Sequence, residues 1–539
     1  MTDEIVDVVI VGAGPSSAAA AWSLSETNLS IMCLEQGDWM DPANYPSTKR
    51  NWEVLRQKEF SPSPNVRNLV ADYPINDNNS PIAIANFNAV GGGTILYSAH
   101  FPRFHPSDFK VRTLDGVADD WPLDYAQLEP FYSENDRMMG VSGLAGDPAY
   151  PPSASPPGGY PVPLGRVGET MARGFNKLGW HWWTSYSAII TRPYKGRQPC
   201  INLGPCDTGC AQGAKSSVDV TYWPLAIRNG VQLKTHCRVR EITVNESGKA
   251  TGVIYYDEKG VERRQSARLI ILGCNGVGTP RLLLNSRSTN FPDGLANRSG
   301  LVGKNLMLHP WGYVEGVFEE PLQAHVGPQG CCILSQEFYE TDIRRNFVRG
   351  YTMQVLRGPG PVQTALSGVA RREIPWGIDH HRVFASRFGR TVGMAIIVED
   401  LPELHNTVTL DPKLVDANGI PAPKITYKLS ENSKRMLAHG LEKGQEVMSA
   451  AGSHKNFSFG PVRHAGWHLM GTARMGFNPE TSVVNEWGRC HDVENLFIVD
   501  SSIFVTSSGV NPVSTSQALA LYIAKMIKKN TSNVADLKS

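Results

Sequence analysis

The chain has 539 residues, a length typical of about two to four domains with a large buried core. With 41% hydrophobic and 19% charged residues, its composition is that of a globular protein and excludes a disordered or fibrous chain. Lys and Arg number 52 against 51 Asp and Glu, so the net charge of +1 gives no electrostatic reason for nucleic-acid binding, and none is expected.

The N-terminal sequence MTDEIVDVVIVGAG lacks the basic region and the cleavage site of a signal peptide. No apolar run reaches about 18 residues, so a membrane-spanning helix is not expected. The nine cysteines are odd in number and scattered, a pattern typical of a reducing compartment and not of a disulfide framework. We therefore expect a cytoplasmic protein.

The first predicted element is a βαβ unit. Residues 5–11 form a β-branched run, typical of a strand buried on both faces of a parallel sheet. The turn GAGPSS follows, then an Ala-rich helix start at residues 18–24, then a second strand at residues 30–34 that ends at Glu35. The order of these elements predicts an α/β fold.

This unit carries a dinucleotide-binding pattern. The first glycine of Gly12-x-Gly14 permits a tight turn, and the second lets the backbone approach a pyrophosphate at a helix N-terminus. Ser17 stands at the third position of the pattern, where we expect it to loosen the packing of helix on strand slightly. Glu35 is placed to accept the hydroxyl hydrogens of an adenosine ribose, and its charge disfavours NADP. The turn residues predicted to bind the cofactor are Gly12, Gly14, Pro15 and Ser16.

Further along, residues 145–165 are rich in Pro, Gly, Ser and Ala and predict a linker or long loop. Strand-like alternation follows at 231–243 and 250–257, with a buried strand at 268–272. Alternation with turn signals from about 345 to 430 predicts an antiparallel sheet. A short strand at 496–499 and a helix at 513–528 close the chain. We interpret this order as a discontinuous, Rossmann-like nucleotide domain (1–110, 200–310 and 461–539), a linker or lid region (111–199) and an inserted substrate domain built on an antiparallel sheet (311–460).

Five further stretches decide the kind of protein. They are VGGGT at residues 90–94, GCNGVGTPRLLL at 273–284, HLMGTARMG at 468–476, NLFIVD at 495–500 and GVNP at 509–512. Together with the N-terminal pattern they resemble the glucose–methanol–choline (GMC) oxidoreductases, a flavoenzyme family, over essentially the whole chain. Within that family the sequence is most similar to the branch of bacterial gluconate, fructose and glucoside 3-dehydrogenases, and more distantly to pyranose 2-oxidase.

The resemblance implies FAD as cofactor. It places Gly91, Gly92 and Thr94 near the flavin or the pyrophosphate, the backbone of Val239 at the adenine, and Asp500 at the ribityl chain or pyrophosphate. Asp500 is also a natural helix N-cap before two serines, and the two roles are compatible. Leu96 occupies the place of the histidine that is bonded to the flavin in pyranose 2-oxidase, so we expect non-covalent FAD.

Alcohol oxidation needs a base for the hydroxyl proton and a group that orients the carbinol. His468 matches the family's catalytic histidine and is predicted to be the base. Asn511 matches the second catalytic position, where its amide would bind the substrate hydroxyl near the cofactor, and Pro512 would stiffen its loop; an ordinary Asn-Pro turn is the alternative. The remaining histidines considered are predicted to be surface or structural: His100, His309, His380, His381 and His464.

Cys200, Cys206 and Cys210 form a Cys-x5-Cys-x3-Cys pattern. Three thiolates on one loop can hold an iron–sulfur centre, and the spacing is similar to the 3Fe–4S segment of fructose and FAD-dependent glucose dehydrogenases. Those relatives, however, have an adjacent Cys pair at the first position and a Pro after the last Cys. The alternative, weighed equally, is a loop of small residues packed beside the flavin. Zinc is disfavoured because no fourth ligand lies nearby.

These observations predict an FAD-dependent dehydrogenase that oxidises a hydroxyl of a sugar, glycoside or polyol to the carbonyl by hydride transfer and passes electrons to an acceptor other than oxygen. An oxidase that releases H₂O₂ is the alternative, and a non-catalytic flavoprotein is a third hypothesis. The resemblance also implies a small partner subunit and a cytochrome or quinone acceptor, with a periplasmic location only after co-export with that subunit. Aromatic residues of the inserted domain could stack on a substrate: Trp311, Phe338, Tyr339, Tyr351, Trp376, Phe384 and Phe388.

Overall fold

The computed structural model describes residues 5–67 and 69–534, with side chains as far as residue 529. The strands are β1 (Val6–Val11), β2 (Ile31–Leu34), β3 (Asn76–Asn79), β4 (Trp183–Thr184), β5 (Gln232–Lys234), β6 (Arg238–Val244), β7 (Ala250–Tyr256), β8 (Glu262–Leu272), β9 (Trp311–Val317), β10 (Ile333–Ser335), β11 (Tyr351–Leu356), β12 (Thr391–Val398), β13 (Thr407–Val415), β14 (Pro421–Thr426), β15 (Lys455–Phe459) and β16 (Leu496–Ile498). The α-helices are α1 (Pro15–Leu24), α2 (Trp52–Leu55), α3 (Pro64–Arg67), α4 (Val111–Asp115), α5 (Tyr125–Met139), α6 (Gly165–Leu178), α7 (Tyr222–Arg228), α8 (Asn275–Asn285), α9 (Pro361–Ala370), α10 (His380–Arg387), α11 (Glu431–Ala451) and α12 (Val513–Val534).

The first sheet is built around the N-terminal strand. Its order is β5–β2–β1–β8–β7–β6, with β16 also paired to β8. Strands β5, β2, β1 and β16 and the C-terminal half of β8 are parallel, whereas β6, β7 and the first half of β8 form an antiparallel meander. All six residues of β1 are buried, as its β-branched sequence predicts for a central parallel strand.

The second sheet is antiparallel, with order β15–β9–β12–β11–β10–β4. Helix α11 lies across it and approaches closely because two of its buried residues are glycines. A Cβ at Gly444 would lie 2.7 Å from Val314, and one at Gly440 would lie 2.5 Å from Ile396. This sheet and the mostly parallel first sheet confirm the predicted α/β class with a Rossmann-like domain and a second, antiparallel one.

The alternating stretch at 345–430 contains antiparallel strands, but they belong to two sheets. Strands β11 and β12 lie in the second sheet, whereas the hairpin β13–β14 pairs with β3 in a separate three-stranded sheet beside α8. Arg281 of α8 donates to Asp416 at the tip of that hairpin (2.8 Å). The predicted domain boundaries stay predictions. Within the described part of the chain, none of the helices combines the length and apolar character needed to cross a bilayer.

Candidate active site

A cleft that is partly open to solvent lies at the carboxyl ends of β1 and β2, where α/β folds bind nucleotides. Eight of the predicted cofactor residues line it: Gly12, Gly14, Pro15, Ser16, Glu35, Gly92, Val239 and Asp500. The cleft also has polar walls that the sequence did not single out: Gln36, Tyr73, Asn86, Asn88, Arg240, Asn275, Arg281, Asn285 and Ser516. The other predicted residues, Gly91, Thr94, Asn511 and Pro512, lie outside this lining.

Glycines shape the floor of the cleft. Gly12 has φ +88°, and a Cβ there would lie 2.9 Å from the carbonyl oxygen of Gly273. The second glycine loop is the VGGGT stretch at residues 90–94. Gly92, with φ +52°, brings this loop against Gly14: a Cβ on Gly92 would be 3.1 Å from the Gly14 Cα. Thr94 holds this loop from behind, donating to the carbonyl of Gly91 (2.6 Å).

Ser17, at the third position of the pattern, packs tightly against the neighbouring strand; the slight loosening expected from it stays a prediction. Ser17 is fully buried, and the chain at Gly273 passes so close that a Cβ there would collide with the Ser17 hydroxyl oxygen. The helix approaches closely because residue 273 has no side chain. A serine at the third position is therefore accommodated by a glycine at the end of the neighbouring strand β8.

The start of α1 is suited to bind an anion. Its N-cap, Gly14, has no side chain to occupy the free backbone N–H groups of the first turn. Ser16 lies in that turn, and its hydroxyl is 2.7 Å from the hydroxyl of Ser516 in the first turn of α12. Two helix N-termini thus meet at the cleft, and both favour negative charge.

The carboxylate of Glu35 is fixed at the end of β2. Its Oε2 accepts from Ala13 N (2.7 Å) and its Oε1 accepts from Gly37 N (2.8 Å), while burial raises the pKa of the carboxyl. Each oxygen keeps a second lone pair for a ribose hydroxyl. A glycine turn at a helix N-terminus and an acid with free acceptor capacity, both lining one cleft, together fit FAD.

Asp500 has the N-cap role that the sequence allowed. Its Oδ1 accepts from Ser502 N (2.8 Å), and its Oδ2 accepts from the Thr279 hydroxyl (2.6 Å) and Asn275 N (3.1 Å). Because Asp500 also lines the cleft, it ties the first turn of α8 to the segment after β16. Its proposed contact with the cofactor is compatible with this role.

The structure brings His468 and Asn511 together, although neither residue lines the cleft. The Asn511 amide Nδ2 lies 3.4 Å from His468 Nε2, and both residues are half-buried. Ser501, a lining residue, donates to the carbonyl of Leu469 (2.7 Å) and so joins the histidine segment to the cleft wall. Gln354 of β11 donates to Asn511 Oδ1 (2.5 Å), which leaves the Nδ2 hydrogens directed at the histidine.

His309, which the sequence predicted to be surface or structural, is the direct partner of the candidate base. It is buried, and its Nδ1 lies 2.8 Å from His468 Nδ1. Its Nε2 lies 3.1 Å from the carbonyl oxygen of Ser507 and 2.8 Å from that of Ser508. It is thus a buried histidine with both ring nitrogens hydrogen-bonded, and one of those bonds joins it to His468.

These contacts select a tautomer. Carbonyl oxygens only accept, so His309 Nε2 must carry a hydrogen; burial lowers the pKa of His309 to about 4, so its ring is neutral and Nδ1 has only a lone pair. His468 Nδ1 must therefore donate to it. In the neutral ring of His468, Nε2 is then the unprotonated nitrogen, and it faces Asn511.

Burial lowers the pKa of His468 well below 6.5, and the neighbouring rings of His309 and His100 lower it further. His468 is therefore neutral near pH 7 and able to accept a proton. His100 is itself buried, bonded to the Ser185 hydroxyl (3.2 Å), with its pKa lowered by burial to about 4.

A second set of bonds holds His309 in place. Its backbone is in the left-handed region (φ +52°), which is strained for a residue with a side chain. The Asp400 carboxylate accepts from the backbone N–H of Leu308, the residue before His309 (3.1 Å). The backbone N–H of Asp400 donates to the Ser507 hydroxyl (2.8 Å). Tyr427 donates to the Asp400 carboxylate (2.7 Å). One buried aspartate thus fixes both segments that enclose the imidazole of His309.

The three cysteines of the Cys-x5-Cys-x3-Cys pattern share a loop next to the second glycine loop. Lys215, whose ammonium is buried, donates to the carbonyl oxygens of Cys206 (2.7 Å), Ile95 (2.7 Å) and Tyr97 (2.9 Å). Backbone N–H groups donate to the sulfurs of Cys200 and Cys210. Among the residues described, no three Cys, His, Asp or Glu side chains are arranged to hold a metal ion.

Comparison with known proteins identifies the family of the chain. The GMC oxidoreductase family matches in two parts, residues 164–311 and 402–520. The chain is 40% identical to 2-methyl-1,2-propanediol dehydrogenase of Mycolicibacterium austroafricanum over 99% of its own length and 97% of that protein. It is 29% identical to the fructose dehydrogenase large subunit of Gluconobacter japonicus, over 97% of each chain.

The fold also resembles that of a solved structure. Pyridoxine 4-oxidase from Mesorbium loti superposes with a TM-score of 0.67 at 15% identity, covering 97% of this chain and 99% of the other. At this identity the likeness concerns the fold alone. The matches of sequence and the arrangement of the cleft show that the chain belongs to the GMC oxidoreductases and is an FAD-dependent alcohol or sugar oxidoreductase.

Proposed function

We propose that the protein is a dehydrogenase that oxidises a hydroxyl group of a polyol, sugar or glycoside to the carbonyl and delivers the electrons to an acceptor other than oxygen. The observation that carries this proposal is the unprotonated Nε2 of His468, held 3.4 Å from the amide of Asn511. A base and a hydrogen-bond donor side by side are the two groups that a carbinol needs.

The residues have separate roles in this proposal. Bound FAD supplies the hydride acceptor. Asn511, polarised by Gln354, donates to the substrate oxygen and orients the carbinol, while His468 Nε2 takes the hydroxyl proton. His309 accepts the Nδ1 hydrogen of His468 and so holds that ring in place. It also stabilises part of the positive charge that develops on the His468 ring. Because these side chains are joined by hydrogen bonds, the base keeps its orientation before substrate arrives.

The similarity to a 1,2-diol dehydrogenase over nearly the whole chain favours a small polyol as substrate. It also favours the dehydrogenase over the oxidase, which stays the second candidate because His468 and Asn511 serve both reactions. In the dehydrogenase, a quinone, a cytochrome or another redox protein takes the electrons, and a small partner subunit would co-purify from native cells.

We propose further that FAD is bound without a covalent link and that the cysteine loop holds no cluster. Leu96, at the place of the flavin-linked histidine, is fully buried and has no group that could bond to the flavin. We interpret Cys200, Cys206 and Cys210 as residues of a packed loop. In support, the described residues contain no group of three Cys, His, Asp or Glu side chains placed to hold a metal ion. Acid precipitation should release all flavin into the supernatant, and iron and sulfide assays should find neither.

The function is tested by anaerobic reduction of the flavin. Purified protein is mixed with 1,2-diols, sugars or simple primary alcohols, and the flavin absorbance near ~450 nm is followed. We expect bleaching by a polyol, and a loss of about 10²–10⁴-fold in the rate for His468→Ala. His464→Ala, at an exposed histidine nearby, is the matched control and should keep the rate.

Reoxidation then separates the two candidates. After bleaching, air is admitted in one sample and a quinone or an artificial electron acceptor is added to another. Fast reoxidation by the acceptor and slow reoxidation by oxygen would support the dehydrogenase. Stoichiometric H₂O₂ would make the protein an oxidase, and failure of every alcohol to bleach the flavin would overturn the proposal as a whole.

A further inference from the structure

A helical hairpin inserted between β11 and β12, residues 361–388, exposes apolar side chains on the surface of the second domain. Trp376 is 84% exposed and Ile378 is 100% exposed in the turn between α9 and α10, and Leu366 of α9 is 64% exposed. Helix α10 has no buried residue. Trp376 is therefore not part of the core, in contrast to the buried Tyr339 and Tyr351.

The hairpin is nevertheless held in a defined position. The first turn of α9 is capped by Glu53, whose two carboxylate oxygens accept from Val362 N (2.8 Å) and Gln363 N (2.9 Å). Arg371, at the end of α9, pairs with Glu315 of β9. The side chain of Ile374, just before the exposed turn, is buried. These contacts fix the base of the hairpin on the body of the protein, so that its turn projects.

The exposed turn is flanked by positive charge. Residues 371–390 contain five arginines and two histidines but only two acids, although the whole chain has a net charge of only +1. Both acids, Glu373 and Asp379, are already paired with arginines. Arg372 and Arg390 make no ion pair with any residue that the structure describes. Of these two, Arg372 is exposed and lies close to Trp376 in the chain, whereas Arg390 follows the hairpin at its base.

We propose that this hairpin docks on the surface of an anionic lipid bilayer, with Trp376 and Ile378 entering the interfacial layer and the cations contacting lipid headgroups. Tryptophan favours the boundary between headgroups and acyl chains, and each nearby Arg adds attraction to anionic lipid. A second copy of the chain fits the surface less well, because a two-fold contact would bring the cations of both hairpins together. The proposal does not depend on the proposed substrate or acceptor.

The test is sedimentation of the FAD-loaded, full-length protein with vesicles of phosphatidylcholine alone or of phosphatidylcholine mixed with phosphatidylglycerol. We expect binding to the anionic vesicles, weak binding to the neutral ones, and release at high salt because the attraction is screened. The double variant Trp376→Ser/Ile378→Ser should lower the partition coefficient about tenfold or more. Arg372→Glu/Arg390→Glu should abolish the preference for anionic lipid.

Phe477→Ser is the matched control, since Phe477 is 71% exposed and lies outside the hairpin; it should bind vesicles as the wild type does. Each variant is first shown to keep the wild-type melting temperature and turnover. Equal binding of wild type and Trp376→Ser/Ile378→Ser, or no difference between the two kinds of vesicle, would overturn the proposal. The proposal would also be overturned if the protein bound no vesicles but formed a dimer in solution that Trp376→Ser/Ile378→Ser dissociates. The surface would then join two copies of the chain.

Discussion

Replacing His309 by alanine tests the hydrogen bonds that hold His468, the proposed base. The substitution removes the acceptor 2.8 Å from His468 Nδ1, and with it the contact that keeps the hydrogen on Nδ1 and the lone pair on Nε2. It also removes the donor to the carbonyl oxygens of Ser507 and Ser508. Losing such a buried hydrogen bond costs about 1–3 kcal/mol. If this free energy is lost in full from the stabilisation of the transition state, kcat/KM falls roughly 5- to 150-fold.

His309→Asn is the informative companion variant. An asparagine at this position can place its amide oxygen near the former Nδ1 and accept from His468, so it should recover part of the lost rate. The assay is the anaerobic rate of flavin bleaching by a substrate polyol, normalised to bound FAD, with the melting temperature measured on the same samples. The exposed His464→Ala should stay within about twofold of the wild type.

Two results would refute this reasoning about His309. A His309→Ala protein with normal FAD content and a wild-type kcat/KM would show that the tautomer of His468 does not need the second histidine. Equal rates for His309→Ala and His309→Asn, both well below the wild type, would show that the loss comes from disturbed packing and not from the missing acceptor.

Three further predictions concern pH and stability. Because the base works only when unprotonated and its folded-state pKa is lowered, kcat/KM should fall with decreasing pH only below 6.5; an acid limb above that value would contradict the assignment of His468. In Gly273→Ala the new methyl group would collide with Ser17, so this variant should lose stability or FAD binding. Adding Ser17→Gly to the same chain should restore the stability and the FAD binding. A double variant that melts no higher than Gly273→Ala alone would disprove this steric explanation. Lys215→Met leaves three carbonyl oxygens without their donor, so denaturant unfolding should show a loss of about 3 kcal/mol or more. Lys434→Met, at an exposed ion pair, should cost less than about 1 kcal/mol, and similar losses in the two variants would be inconsistent with a role for the buried ammonium.

The parts of this protein that the sequence determined by itself are local. A buried β-branched strand, a glycine turn and an acid at the end of the next strand are adjacent in the chain, and their geometry follows from backbone sterics and strand periodicity. The N-cap at Asp500 is equally local, since it joins residues two positions apart. His468 and Asn511 were found by resemblance to a family, because nothing in their immediate neighbours requires a catalytic role.

Tertiary structure decided what lies between distant segments. The contact of His309 with His468 spans 159 residues, and that of Gln354 with Asn511 spans 157, so no local pattern contains either. The hairpin β13–β14 has the same alternation as the strands before it, yet it pairs in another sheet because alternation specifies a half-buried strand and not its partner. Likewise, an aromatic residue in the sequence is compatible with core or surface, and only the packing around it placed Trp376 in solvent.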